Sequence, residues 1–248
     1  MPNPLIHKLE RLAVLSDIEK QTLEGAVVRT RDLPPGVDLI QAGERPRDCT
    51  LLLEGWTCRY KLVPQGKRQI MGFVIPGDLC DLNGLVIGSM DHSISTLTAA
   101  KVALIPRDAL LGIMDDHPAI GRALWQETLA EAAIAREWVV NVGARTAYER
   151  IAHLLCEMGL RLQVAGQGDG SRFEFPVTQV DLADATGMTN VHANRTLQEM
   201  RSDGLITWTG SEVVIPDWER LQEVGTFSPD YLFIRPGDRN TGMQPSVA

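Results

Sequence analysis

Residues 176–216 read PVTQVDLADATGMTNVHANRTLQEMRSDGLITWTGSEVVIP, and this stretch decides the fold of the C-terminal part of the chain. The pattern predicts two short helices around a turn at Gly187, followed by a small hairpin. Thr178 is placed to cap the first helix, with Asp181 at the capping-box position. Gly187 adopts a left-handed conformation at little cost, so the chain can turn sharply there.

The second helix is predicted to begin at Thr189 or Asn190, since either side chain can cap a helix. Helical spacing predicts that Val191, Leu197 and Met200 turn inward. The polar residues of the first turn are then left at an exposed N-terminal end. The first helix is expected to have an apolar side formed by four residues, Val180, Leu182, Ala183 and Ala185.

Two short strands, at 206–209 and 212–215, are predicted to form the hairpin. Helix, glycine turn, helix and hairpin is the order of a winged helix-turn-helix, whose second helix enters the DNA major groove. Two amphipathic helices around a glycine also occur in folds that bind no DNA. The side chains favour DNA binding, because asparagine can pair with adenine and arginine with guanine.

The charge of this region is unusual for a nucleic-acid-binding protein. Residues 178–205 contain two arginines and four acidic residues, which is a net charge of −2, and the whole chain carries −8. A basic surface is the usual feature of proteins that bind nucleic acid. Binding to DNA is therefore expected to be selective, with a weak non-specific component.

The bulk composition indicates a globular protein with room for two domains. The chain has 248 residues, of which 44% are apolar and 23% charged. No apolar run is long enough to span a membrane, and the N-terminus lacks the pattern of a signal peptide, so no membrane partner and a cytoplasmic location are expected. The four cysteines are scattered without a C-x-x-C pair, which argues against disulfide, zinc and iron–sulfur sites; they are Cys49, Cys58, Cys80 and Cys156.

The first half of the chain is predicted to be an antiparallel roll of short strands, which gives an α+β fold with an N-terminal jelly-roll-like β-roll. The predicted strands are 37–41, 49–53, 56–63, 68–74 and 100–105. Ser16 and Glu19 form a capping box for a short helix ahead of the roll. No H-x-H pair is present for a cupin-type metal site, so no metal site and no enzymatic activity are expected, and a cupin-type enzyme is only the third hypothesis.

A long helix is predicted from Pro118 to about Asn141, closing at Gly143. Its apolar residues lie along two lines, so two separate surfaces must pack against it. One is the chain's own sheet domain. The second is expected to be the same helix of another copy, which makes the protein a homodimer. The alternative is a helix buried between the chain's own domains. The candidate dimer-helix residues are Leu124, Leu129, Ala135, Trp138 and Val142.

Roll, long helix and winged helix-turn-helix, in this order, resemble the Crp/Fnr family of bacterial transcription regulators over roughly residues 8–222. The matching motifs are Gly36-x-x-Leu39-Ile-x-x-Gly43-Glu44, Pro76-Gly-Asp78, Tyr148-Glu-Arg150-Ile-Ala-x-Leu154-Leu155 and Val191-His-Ala-Asn194-Arg195-Thr-Leu-Gln198. The resemblance implies a dimer that binds double-stranded DNA, with RNA polymerase as the expected protein partner. It also implies a nucleotide-binding type of roll that can hold a small-molecule effector.

The resemblance implies DNA contacts from the two helices of the predicted head. Arg195 matches the arginine that contacts guanine in many members, and Thr178 and Gln179 match positions that usually grip phosphate. Val191 stands where the cyclic-AMP-responsive branch has glutamate, so the operator is expected to differ there. The full set of candidate DNA-binding residues is Thr178, Gln179, Thr189, Asn190, Val191, His192, Asn194 and Arg195.

The effector pocket departs from the family pattern. Members that bind cyclic nucleotides have Gly-Glu on one wall and Arg-Ser/Thr on the other, where arginine pairs with the cyclic phosphate. This chain has Cys80-Asp81 and Asp91-His92-Ser93 instead, so cyclic AMP is not the expected effector, and Arg136 is the one conceivable substitute cation. The cofactor stays unidentified. The candidate pocket residues are Gly77, Asp78, Cys80, Asp81, His92, Ser93 and Arg136.

Other sensing chemistries lack support in the residues. The oxygen-sensing branch has an N-terminal cysteine cluster, whereas no cysteine precedes Cys49, and no axial histidine for haem stands near Cys80. Cys80 is interpreted as a small buried hydrophobe. His7, His117 and His153 are expected on surfaces or at helix ends.

The sequence therefore predicts a homodimeric, sequence-specific transcription regulator on a palindromic operator. The alternative is a ligand-binding regulatory module that acts on a protein partner and has degenerate DNA heads. The expected domains are the sensory roll at 1–116, the dimerisation helix at 117–144, the winged helix-turn-helix at 145–226 and a tail at 227–248.

Overall fold

The computed structural model describes residues 3–234. They form two compact units that divide between Ala132 and Ala133, inside the long helix. None of the helices in this range is long and apolar enough to cross a membrane. The four-part division by role expected from the sequence stays a prediction, and residues 235–248 of the expected tail lie outside the described range.

The first unit is a roll of two antiparallel sheets between helices. Its elements are α1 (Pro4–Glu10), α2 (Asp17–Gly25), β1 (Arg29–Leu33), β2 (Asp38–Ile40), β3 (Asp48–Glu54), β4 (Thr57–Leu62), β5 (Arg68–Val74), α3 (Leu82–Ile87), β6 (Ser93–Thr96), β7 (Ala100–Pro106), α4 (Arg107–Asp116) and the first half of α5 (Pro118–Ala144). One sheet has the order β1-β7-β3 and the other β2-β6-β4-β5. The expected antiparallel roll is confirmed, and so is the Ser16–Glu19 capping box of α2.

Strands β1 and β6 and helices α3 and α4 are among the elements of the roll unit that were not predicted from sequence. Strand β1 is exposed at four of its five positions and is held at the sheet edge by pairing with β7. Strand β6 is short and rich in serine, so it lacks an apolar pattern, yet it lies between β2 and β4. Helices α3 and α4 begin without a side-chain cap. In each case long-range pairing or packing decides the structure, not local propensity.

The core of the roll unit joins its helices to one sheet. Leu9 of α1, Leu51 of β3 and Ile105 of β7 are fully buried in one cluster that also contains Ile120 and Leu124 of α5. Burial of such side chains contributes about 1.5–3 kcal/mol each relative to exposure. The first half of the long helix is thus part of the roll core.

The second unit contains the predicted winged helix-turn-helix. Its elements after α5 are α6 (Ala147–Val164), β8 (Arg172–Glu174), α7 (Gln179–Thr186), α8 (Asn190–Ser202), β9 (Thr207–Thr209), β10 (Glu212–Val214) and α9 (Trp218–Val224). Strands β9 and β10 form the expected hairpin, and β8 pairs with the other side of β10. Gly187 has φ +68° at the end of α7, as the turn requires. Helix α5 ends at Ala144, three residues beyond the expected Asn141.

The segment after α9 packs on α6. Phe227 and Leu232 are buried, and residues Pro229–Leu232 form a 3-10 turn. The ring of Tyr231 stacks on that of His153 with 5.8 Å between centroids. His153 of α6 is therefore buried, which corrects the expectation of a surface position. The sequence did not indicate this packing, because it depends on contacts far apart in the chain.

A chain of polar contacts links His153, Tyr231 and Glu157. The carbonyl of Gly225 can only accept, so Nδ1 of His153 carries the hydrogen and donates to it over 3.1 Å. Burial lowers the pKa of His153 to about 4, and its Nε2 lies 3.0 Å from the Tyr231 hydroxyl oxygen. The Tyr231 hydroxyl donates to Oε2 of Glu157 over 2.9 Å. Burial raises the pKa of Glu157, whereas the charge of Arg161 and the hydrogen bonds from Trp138 and Tyr231 oppose that rise.

We predict that Tyr231→Phe destabilises the second unit by about 1–3 kcal/mol, because it leaves buried polar atoms of His153 and Glu157 without their partner. Urea unfolding measures the change. Tyr148→Phe is the matched control: it removes a hydroxyl bonded to Asp203 at an exposed site, where about 0.5 kcal/mol or less is expected. Equal effects of the two substitutions would contradict the assigned network.

Candidate functional site

The two helices of the winged head are capped in the manner the sequence predicts. The hydroxyl of Thr178 accepts from the backbone N–H of Asp181, and the Asp181 carboxylate accepts from the Thr178 N–H at 3.0 Å, which completes a capping box. Thr189 caps α8 and accepts from the His192 N–H. The first turn of α8 is thereby held in place.

Helix α8 buries one face and exposes the other. Ala193, Leu197 and Met200 are buried in the unit. Val191 is 81% exposed, so the expectation that it turns inward is wrong. It precedes the buried Ala193 by two positions, which on a helix is about 200° around the axis.

Helix α7 requires a similar correction. Leu182, Ala183 and Ala185 are buried as expected, but Val180 is 50% exposed and does not belong to the apolar side. Val180 lies in the first turn beside Gln179, which is also exposed. The N-terminal turn of α7 is therefore a solvent-facing surface.

The candidate DNA-binding residues lie at the N-terminal ends of these two helices. Asn190, Val191 and Arg195 of α8 are exposed, and His192 and Asn194 are half-buried. Among residues 3–234 the guanidinium of Arg195 has no hydrogen bond or ion pair. Its five donors are therefore available to a ligand, which suits bidentate contact with a guanine edge.

One contact in this region was not expected from the sequence. Nδ2 of Asn194 donates to Oε1 of Gln179 over 2.6 Å, which joins the start of α7 to the second turn of α8. Sequence reasoning treated the two residues separately, with Gln179 on phosphate and Asn194 at a base. Their separation of fifteen positions gives no periodic signal, so the pair could be found only once the angle between the helices was known.

The hairpin next to α8 is tied to the same helix. Nη2 of Arg201 donates to the carbonyl of Trp208 in β9 over 3.1 Å. In the same sheet, Arg172 of the edge strand β8 pairs with Glu212 of the central strand β10 at 2.9 Å. Since both residues of this pair are exposed, it is screened by solvent and contributes little. The Arg201 bond sets the position of the wing.

Most candidate effector residues of the roll unit are buried or hydrogen-bonded within the unit itself. Asp81 accepts from the Thr50 N–H at 2.7 Å, and burial raises its pKa to about 6. Cys80 is fully buried, and burial raises the pKa of its thiol. The interpretation of Cys80 as a small buried hydrophobe fits this environment. Gly77 donates its N–H to the Leu52 carbonyl.

The second expected wall of the pocket supplies no cation in this state. Nδ1 of His92 lies 2.8 Å from the exposed carboxylate of Asp91, but burial lowers the pKa of His92 below its ordinary value. Ser93 accepts from the Ala42 N–H at 3.0 Å. Arg136 is exposed on the part of α5 that belongs to the second unit.

A half-buried ionic cluster in the roll unit was missed by the sequence reasoning. Lys8 of α1 pairs with Asp78 at 2.5 Å and also contacts the carboxylate of Glu127 on α5. One turn further along α5, Glu131 pairs with Arg59 of β4 at 2.6 Å. Although burial alone would lower the pKa of Lys8, the nearby carboxylates raise it above its ordinary value, so Lys8 stays charged. Glu127 and Glu131, four positions apart on a predicted helix, were the available signal.

Arg59, the other cation of this cluster, contacts the backbone at the candidate pocket residue Cys80. Its Nε donates to the carbonyl of Cys80 at 3.3 Å, and its Nη2 to that of Leu79 at 3.1 Å. Burial alone would lower the pKa of Arg59, but the charge of Glu131 raises it. The guanidinium therefore holds the Leu79–Cys80 backbone and the long helix together.

The candidate dimer-helix residues divide into two groups. Leu124 is buried in the core of the roll unit. Trp138 is buried in the second unit and donates from Nε1 to both carboxyl oxygens of Glu157, at 3.2 and 3.1 Å. These two face their own chain, which corrects the expectation that they face a partner. Leu129 and Ala135 are exposed, and Val142 is half-buried.

Further apolar side chains of α5 are exposed in addition to Leu129 of the dimer set. Trp125 is 68% and Leu129 53% exposed in the first half, and Val139 and Val140 are exposed in the second half. Large apolar side chains repeated along an exposed helix are typical of an interaction surface. Within residues 3–234, no three His, Cys, Asp or Glu side chains are grouped so as to hold a metal ion.

Comparison with known proteins identifies related domains in both halves of the chain. The cyclic nucleotide-binding domain family matches residues 30–117, and the Crp-like helix-turn-helix domain family matches residues 149–224. The transcriptional activator protein FnrL of Cereibacter sphaeroides is 27% identical over 197 residues, which cover 78% of this chain and 79% of the relative. The nitrogen fixation regulation protein FixK of Bradyrhizobium diazoefficiens is 29% identical over 69% of this chain and 71% of its own length.

Solved structures show the same fold. FixK2 from Bradyrhizobium japonicum matches with a TM-score of 0.72 at 25% identity, covering 81% of this chain and 98% of that chain. A CRP-family transcriptional regulator from Thermus thermophilus matches with a TM-score of 0.63 at 20% identity, covering 80% of this chain and 97% of that chain. The roll, the long helix and the winged head are therefore shared with structures of this type.

Proposed function

Because the chain belongs to the Crp/Fnr family of bacterial transcription regulators, we propose that it binds a palindromic operator as a homodimer through the N-terminal turns of α7 and α8. DNA-binding transcription regulation is the function of the chain. The base-contacting residues, the dimer contact and the effector are what we propose here. A regulatory role without enzymatic activity, in the cytoplasm where bacterial operators lie, is part of this proposal.

The observation that carries the DNA contact is the state of Arg195. Its guanidinium is exposed at the start of a capped helix and has no partner among residues 3–234. A helix of this kind enters the major groove with its N-terminal residues at base edges. Asn190, Val191 and Asn194 lie on the same turns and are the proposed neighbours of Arg195 at the bases. Thr178, Gln179, Thr189 and His192 are the proposed flanking contacts.

We predict that Arg195→Ala weakens binding to the preferred operator by about 1–3 kcal/mol and relaxes the preference at one base pair per half-site. Fluorescence anisotropy with single-position operator variants measures both effects. Arg122→Ala, which removes an arginine of α5 in the roll unit, is the control and should change neither. A uniform loss of affinity across all operator variants would make Arg195 a phosphate contact instead.

The homodimer is supported by the exposed apolar side chains of α5. Trp125 and Leu129 lie four positions apart in one half of the helix, and Val139 lies in the other. In water these side chains are stabilised by burial against another surface, and a second copy of the same helix presents an equivalent set. Two chains also supply two recognition helices, as a palindromic operator requires.

We predict that Leu129→Glu produces monomers, because pairing would bury an unpaired carboxylate. Sedimentation velocity at micromolar concentration measures the state, and operator affinity should fall with it. Gln21→Glu, which places the same charge at an exposed polar position of α2, outside the proposed contact, should leave the dimer intact. A wild-type protein that sediments as a monomer at this concentration would overturn the proposal directly.

The ionic cluster of the roll unit supports the proposal that cyclic AMP is not the effector. A buried cyclic phosphate needs a cation, and burying it without one is costly. Lys8 and Arg59, the half-buried cations described above, are already paired with carboxylates. Those carboxylates would repel a phosphate, and His92 is neutral near pH 7 because burial lowers its pKa. A small-molecule effector of another kind is compatible with the family.

We predict no saturable heat when cyclic AMP or cyclic GMP is titrated to millimolar concentration in isothermal calorimetry. A dissociation constant below about 10 μM, roughly −7 kcal/mol, would contradict this. Adenosine 5′-monophosphate, which has the adenine base of cyclic AMP but a non-cyclic phosphate, is the control for weak non-specific heat.

A second candidate function is a ligand-binding module that acts on a protein partner and has lost DNA recognition. The acidic charge of the head favours it, since non-specific binding to DNA depends on basic residues. Salt-dependent binding to one palindrome and not to scrambled DNA would favour the first function, DNA-binding regulation, over the second.

Because relatives include transcriptional activators, RNA polymerase is the proposed protein partner of the DNA-binding regulator.

A further inference from the structure

The contact between α7 and α8 joins two side-chain amides. Nδ2 of Asn194 donates to Oε1 of Gln179 over 2.6 Å. Gln179 is the first residue of α7 and is exposed, whereas Asn194 is half-buried in the second turn of α8. Each amide has an oxygen that accepts and a nitrogen that donates. The direction of this bond therefore determines which end of Asn194 stays available.

We propose that Gln179 is a positioning residue that fixes the amide of Asn194 with its Oδ1 towards the DNA, so that this site selects a base with an exocyclic amine. In the major groove the amine donors are N6 of adenine and N4 of cytosine, whereas guanine O6 and thymine O4 are acceptors. An outward Oδ1 accepts from the amines and is repelled by the carbonyl oxygens. The inference rests on the proposed DNA-binding function and specifies the base class at one position.

The orientation of Gln179 follows if it contacts the phosphate backbone, as proposed above. Phosphate oxygens only accept hydrogen bonds, so a glutamine that contacts phosphate turns its Nε2 towards the DNA. Its Oε1 is then left to accept from Asn194, in agreement with the observed bond. Without this neighbour, the asparagine amide could rotate by a half-turn and present its nitrogen to guanine or thymine. Gln179 thus couples its own phosphate contact, which carries no sequence information, to the base contact of Asn194, which does carry it.

The test uses the full-length protein and four operators with adenine, cytosine, guanine or thymine at the base pair where Asn194→Ala loses preference. The variants are Q179A, Q179E, N194A and the double variant Q179A/N194A. The control is Q21A, because Gln21 is an exposed glutamine of α2 in the roll unit. Affinity for each operator is measured at one fixed salt concentration, since the phosphate part of binding depends on salt.

We expect the wild type to favour the amine-bearing bases by about fivefold or more, the lower end of the range for a good base contact. Q179A should reduce this preference to about twofold or less. Q179E should keep the preference, because a carboxylate still accepts from Nδ2, but should bind all four operators more weakly through repulsion from phosphate. In the N194A background, Q179A should change no preference, and Q21A should match the wild type.

Two outcomes would overturn the proposal. If Q179A lowered affinity for all four operators by one factor and kept the base preference, Gln179 would be a phosphate contact only. If the wild type favoured guanine or thymine at this base pair, the amide of Asn194 would be oriented the other way. A wild type with no preference for any DNA sequence would instead show that the proposed function itself fails, and that result is visible before any variant is made.

Discussion

The long helix α5 is held in each unit by a charged or polar contact to its own chain, and the rest of the structure depends on these attachments. In the roll unit Glu127 and Glu131 of the helix take Lys8 and Arg59 as partners. In the second unit the indole of Trp138 donates to a buried carboxyl group. Removing one partner of such a half-buried ion pair destabilises the unit, because the other charge remains without compensation. The two attachments therefore specify which face of the helix turns towards its own chain.

That choice of face has consequences for function. Leu124 and Trp138, which the sequence placed in the dimer contact, lie on the buried side of α5. Trp125, Leu129 and Val139 remain exposed to solvent. The same cluster engages the cations that a phosphate-binding roll would need. A single arrangement of charge thus supports both the pairing of two helices and an effector other than a cyclic nucleotide. The DNA head is built separately, by helix caps and a small apolar core.

The sequence was most informative where structure is local. Capping boxes, a left-handed glycine and a short hairpin lie within about forty residues, so the winged head could be predicted with its recognition helix. The ion pair of Arg59 and Glu131 spans 72 positions, and no periodicity indicates it. Val191 shows a different limit: an apolar residue at helical spacing was assigned to the core, but it is exposed. Pattern alone does not distinguish an apolar residue that packs from one that contacts a ligand.

The central claim is that two winged heads bind one operator with two-fold symmetry. Selection of binding sites from random-sequence DNA by the full-length protein, followed by native mass spectrometry of the complex, tests it most directly. The account predicts two inverted half-sites with centres about 10 base pairs apart, one helical turn of DNA, and a mass of two chains with one duplex. A single half-site without symmetry, or one chain per duplex, would contradict it.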